Sequence, residues 1–235
     1  MKKTLLTLLL ISSLALAAGT LQDAQSQYAK GDFAGAVQSA VALNSSDGFA
    51  LAAKSNSIFA STQADNKQEV IYAQSEKYAR SAVSLDANNS DGYFEAARAI
   101  GRLSQLRGVM AALTQGLGGQ IKELLDKALK LDPQFANALV ALGLWHTEIA
   151  AKGVAFLYGA DPVKGLAAFT RAVKLEPKVI IHRVEFARGL TLIDAGKNKD
   201  EAIAQLEVAV TLAPKDAAEK LDLERAKRDL AALKK

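Results

Sequence analysis

Two histidines, one tryptophan and no cysteine set the limits on what this 235-residue chain could do chemically. His146 follows Trp145 in LGLWHTEIA, and His182 precedes Glu185 by three residues, a spacing that puts both on one face of a helix. A His–Glu pair could move a proton, and histidines with carboxylates could hold a metal. With so few imidazoles and no thiol, a thiolate or His-rich zinc site is excluded and only a carboxylate-rich one is left. There is no Gly-x-Ser-x-Gly, and no acid pair stands in a special setting. The string QGLGGQIKE sets Gly116, Gly118 and Gly119 ahead of a helix, where backbone N–H groups can hold an anion. It lacks the phosphate-loop lysine, and no strand precedes it, so it is read as a connector. The expectation is a non-enzyme without metal or cofactor.

The elements that must position these residues recur. SAVSLDANNSDGYFEAARA, KALKLDPQFANALVALGLW, RAVKLEPKVIIHRVEFARG and VAVTLAPKDAAEKLDL are one phrase, with a fainter copy in SAVALNSSDGFALAAKS. Each is a helix end, a stop and a new helix start. Pro133, Pro177 and Pro214 supply three of the stops, because proline cannot continue the preceding helix. The anchoring alanines Ala82, Ala128, Ala172 and Ala209 lie 46, 44 and 37 residues apart. Small residues at Ala36, Ala128, Gly143 and Ala202 would let helices approach closely while Leu and aromatics fill the gaps.

Leu139-x2-Leu142-Gly143-x2-His146, followed by Gly165-x3-Phe169, Ala172 and Pro177, resembles a tetratricopeptide repeat, with about ten extra residues between its two helices. From about Ile71 onward the chain resembles the tetratricopeptide-like proteins of the regulator-of-microtubule-dynamics type. IKELLDKALKLDP, LGLWHTEIA, the LYG-x-x-P connector at Leu157–Pro162 and the helix after Pro214 carry that likeness. The expected fold is all-α: a tetratricopeptide-like solenoid of about five antiparallel helix pairs over residues 19–213, with a capping helix over 214–235. At its repeat slot Trp145 is expected to pack in a helix seam beside a hydrogen-bonded His146.

Aligning SDGFALAAK, SDGYFEAAR and VIIHRVEFAR puts Lys54, Arg98 and Arg188 at one slot, with Arg102 one turn beyond Arg98. The resemblance implies that this slot faces a concave groove where peptides lie. A basic groove for a peptide carboxylate or an acidic segment is therefore expected, against the alternative of ordinary solvated charge. The asparagines of the carboxylate-clamp subclass are not matched. Phe156, Leu157 and Tyr158, in the connector KGVAFLYGADP, are either a satellite core cluster or an apolar contact patch. Asp161-Pro162 reads as an N-cap followed by proline at the first helical position.

Residues 1–18 read as a signal peptide. Lys2 and Lys3 precede the apolar run Thr4–Leu14, and Ala15-Leu16-Ala17 offers the small-x-small cleavage pattern. Losing the leader takes Lys plus Arg from 29 to 27 against 25 acids, so the net charge falls from +4 to +2. That near-balance gives nucleic acid no support as a partner. The mature chain has no membrane-spanning stretch and is expected in the periplasm or secreted, away from microtubules. The function expected is a non-catalytic scaffold for a protein or peptide, an acidic one included. The alternatives are a small-molecule or substrate-binding accessory of the cell envelope and an envelope enzyme.

Overall fold

The computed structural model describes residues 19–235, so the expected signal peptide lies outside the described residues. Every regular element among the described residues is a helix. Five hairpins follow one another. These are α1 (Leu21–Lys30) with α2 (Phe33–Ala42), α3 (Ser46–Ser61) with α4 (Asp65–Leu85), and α5 (Ser90–Arg107) with α7 (Leu117–Leu131). The last two are α8 (Ala136–Ala151) with α10 (Pro162–Leu175) and α11 (Ile180–Asp194) with α12 (Lys199–Thr211), followed by the single helix α13 (Ala217–Leu233). The extra residues of the third and fourth hairpins form two short helices, α6 (Val109–Thr114) and α9 (Ala155–Tyr158).

Local chemistry sets the helix starts. Ser45, Asn89, Asp161 and Asp216 each accept a backbone N–H at the head of α3, α5, α10 and α13, which satisfies a donor that no helical carbonyl can reach. Pro162 then sits at the first position of α10, where its missing N–H costs nothing. The prolines at 133, 177 and 214 fall just after α7, α10 and α12. Ala36, Ala128 and Ala202 are fully buried where helices cross. The largest core cluster joins α8, α10, α11, α12 and α13 around Phe169, Ile180, Leu190 and Leu206.

The array curls until its last helix meets its first. Helix α13 packs on α12 and α11 and also touches α1, where Ala217 and Ala218 lie against the Tyr28–Phe33 aromatic pair. The inner faces of α3, α5, α8, α11 and α13 thereby surround a lumen of about 770 Å³. No helix among the described residues is long and apolar enough to cross a membrane.

Candidate functional site

Helices that enter the array in register place equivalent residues at one level of the lumen. Lys54, Arg98 and Arg188 are each the ninth residue of their helices, α3, α5 and α11, and Arg225 is the ninth residue of α13. Leu144 takes that position in α8. One turn earlier, at the sixth position, stand Glu95, Glu185 and Asp222. Of these, Lys54, Arg98 and Arg225 line the lumen as a ladder of cations, and the carboxyl-bearing residues Glu95, Glu185 and Asp222 line it as a second ladder beside them.

The two ladders are paired unevenly. Arg98 Nη2 reaches Glu95 Oε2 at 2.5 Å, and Arg188 meets Glu148 at 2.6 Å and Glu185 at 3.5 Å. Arg102 approaches Glu185 at 3.7 Å, and Arg225 binds it at 2.6 Å. Among the described residues Lys54 forms no ion pair; its ammonium rests 4.8 Å above the Tyr28 ring, while its carbonyl accepts a hydrogen bond from Arg98. Lys54, Arg98 and Arg102 line the lumen, and Arg188 faces a side recess with Ser104, Gln105 and Lys152.

Glu95 and Glu185 hold the same slot and are both almost fully buried, yet they titrate in opposite directions. Burial pushes Glu95 up to about 6, and Arg98 and Lys54 offset only part of that. Burial also raises Glu185, but Arg225, Arg102 and Arg188 outweigh it and bring the carboxyl down to about 2. Asp222 is raised to about 7, chiefly by burial, despite Arg225 nearby. Burial also raises Asp91, which lines the lumen too.

The Trp–His pair has a structural role. Trp145 Nε1 donates to the Gly118 carbonyl at 2.7 Å, and His146 Nδ1 accepts the Asp161 N–H at 3.0 Å. Gly118 opens α7 after the first insertion, and Asp161 caps α10 after the second, so adjacent side chains pin both enlarged connections. Burial, with Lys122 adding to it, lowers the His146 pKa and keeps the ring neutral, as an acceptor Nδ1 requires. Trp145→Ala should cost about 3 kcal/mol, from lost ring burial and a stranded carbonyl. Native Trp fluorescence should be blue-shifted and resist quenching, and red, easily quenched emission would contradict the seam.

His182 does not engage Glu185. It is fully buried, its Nε2 lies 2.9 Å from Asn137 Oδ1, and burial lowers its pKa to about 4. Glu185 instead belongs to the arginines. No metal-competent group of three or more His, Cys, Asp or Glu occurs among the described residues. The aromatic connector is divided. Phe156 and Leu157 are 81% and 57% exposed, while Tyr158 is half-buried, lines the lumen and packs over Gly118.

Reasoning from sequence singled out the cations and missed Glu95, Glu148, Asp222 and Arg225. A signal for one of them was present: Glu-x-x-Arg recurs in FEAAR and VEFAR, at the same slots as the cations.

The family described as Regulator of microtubule dynamics protein 1-3 matches residues 21–234. Among solved structures, a thermophilic TPR protein from Thermus thermophilus superposes with a TM-score of 0.63 at 20% identity, over 88% of this chain and 97% of that one. The MamA protein gives a TM-score of 0.44 at 15% identity, over 81% of this chain and 88% of its own. No curated protein matches the sequence significantly.

Proposed function

The chain belongs to the Regulator of microtubule dynamics protein 1-3 family, and from that premise we propose that it is a non-catalytic scaffold holding a protein or peptide segment in its lumen. The observation that carries the reading is the double ladder. Charged groups from four helices converge on one concave surface. The partner is an acidic or mixed-charge segment. Its carboxylates would meet Lys54, which forms no ion pair among the described residues, and Arg102, whose approach to Glu185 is 3.7 Å. Phe156 and Leu157 would contact its apolar residues outside the lumen. The chain works after export, in the periplasm or secreted, a reading that rests on Lys2, Lys3, the run Thr4–Leu14 and Ala15-Leu16-Ala17. A mature N-terminus near Ala18 or Gly19, read by mass spectrometry of protein from its host, is the expected result; a retained Met1 on a cytosolic protein would end it.

The test must spare the most closely paired arginines, since removing Arg98 or Arg188 would strand Glu95 or Glu148, whereas Glu185 keeps Arg225 at 2.6 Å when Arg102 is removed. The double variant Lys54→Ala/Arg102→Ala, titrated with a partner captured from envelope extracts, should bind about tenfold more weakly at low salt. The wild type should itself weaken as salt rises. Equal affinity of both proteins at low salt would remove the lumen from the reading and leave a scaffold that binds elsewhere.

A second reading, a small-molecule accessory, is supported by size. A lumen of about 770 Å³ falls among small-ligand cavities, which run from roughly 300 to 1,000 Å³.

A further inference from the structure

We propose that α6 and α9 are a pair of glycine-hinged flaps that gate one rim of the lumen. The inference rests on the reading that the lumen takes an occupant, and it names the side of entry. Of the five glycines with positive φ among the described residues, four bracket the two insertions. Gly108 and Gly116 flank α6 at φ 84° and 62°, and Gly153 and Gly159 flank α9 at 73° and 65°. Glycine crosses between such conformations with no Cβ to obstruct it. Nothing beyond the adjoining chain lies within 4 Å of where a Cβ would stand at any of the four, so no packed neighbour resists their rotation. Between the hinges neither short helix has a buried residue. A segment so lightly anchored opens locally at a fraction of the global cost, as hinged lids do.

The flaps have the two-faced character that a cover requires. Val109, Ala112 and Leu113 recur at helical spacing on α6 and line the lumen, while Met110, turned off that face, is 73% exposed. Val154 and Tyr158, at the start and end of α9, line it too, and Phe156 between them faces solvent. The flaps are neighbours. Val109 shares the side recess with Ala151 and Lys152, which lead into α9, and the Tyr158 ring covers Gly118, two residues past the Gly116 hinge. The other three hairpins turn in two to four residues, so the insertions concentrate on this rim. Arg107 latches α6 from outside: it donates to Glu69 of α4 at 2.8 Å and to Gln115, beside the far hinge, at 3.2 Å. Both contacts are solvent-exposed, and such pairs are weak enough to open and reclose.

The chain has no cysteine, so a single introduced thiol reports access. Ala141→Cys places one on the lumen wall, and Phe156→Cys places one on an outer face. With N-ethylmaleimide and the full mature chain, the lumen thiol should react at least about tenfold more slowly than the outer one, because it waits for an opening. Gly116→Asn/Gly159→Asn stiffens one hinge of each flap and keeps its shape, since asparagine tolerates the left-handed conformation but has fewer alternatives than glycine. In that background the lumen thiol should slow by about a further threefold. Arg107→Ala, which unlatches α6, should speed it by about threefold. The outer thiol should be indifferent to both changes, and circular dichroism should show every variant folded. A lumen thiol as reactive as the outer one, or a rate that neither variant shifts in the stated direction, overturns the gate. No partner is added, so that result leaves the scaffold reading standing; loss of partner binding with the rates as expected would strike the scaffold alone.

Discussion

Glu185→Gln should lower stability by about 3–5 kcal/mol at pH 7, the cost of breaking a buried ion pair from one side. The carboxyl is 3% exposed, and it gathers Arg102 from α5, Arg188 from its own helix and Arg225 from α13. Its titration gives a second route to the number. A fall from 4.5 to about 2 corresponds to about 3 kcal/mol of preference for the ionised form in the folded state. The sign follows from linkage: a carboxyl depressed by folding contributes stability that is fully present above 4.5 and lost as pH falls through about 2. Wild type and variant should therefore differ most at neutral pH and converge below about pH 2. For a chain of this size the neutral-pH loss corresponds to a melting temperature roughly 10 °C lower. Loss of protection should concentrate in α13, because Arg225 is its ionic tie to α11 and the apolar tie through Leu223, Leu230 and Leu233 is only partly buried. A variant as stable as wild type at pH 7 would show that the arginines do not depend on Glu185.

Glu95 shows why such an effect cannot be read from a slot. The two glutamates share the sixth position of equivalent helices and the same arginine three residues on. That much was legible, as were the fold class, the helix ends at Pro133, Pro177 and Pro214, and the cap at Asp161. The charge states were not, because they depend on Arg102 and Arg225, which come from other parts of the chain and reach Glu185 only after the array has curled. Closure itself was hidden for a related reason. The contact of Ala217 and Ala218 with Tyr28 and Phe33 is the sum of small rotations over five hairpins, and no local pattern encodes that sum. Helices α6 and α9 escaped because insertions of one or two turns carry too little periodicity to show. The Trp145–Gly118 and His146–Asp161 bonds that fix those insertions became visible only when the connectors were in place.

Phe169→Ala should be as damaging, at about 4–5 kcal/mol, because its cavity cannot collapse. The ring is fully buried on α10, stacks on Phe186 with centroids 5.3 Å apart, and is wedged between α8 and α11. Both neighbours give it room by lacking a side chain. A Cβ at Gly143 would lie 2.8 Å from the ring and one at Gly189 closer still, nearer than real contacts allow. The glycines are needed for this approach and not for an unusual backbone, since both sit inside regular helices. Gly189→Ala alone should then cost about 1–3 kcal/mol through overpacking. Combining it with Phe169→Leu, which removes the atoms it meets, should cost less than the two single changes added together. Strict additivity in urea unfolding of the three proteins would mean that ring and glycine are not in contact, and would break the packing that holds the fourth and fifth hairpins side by side.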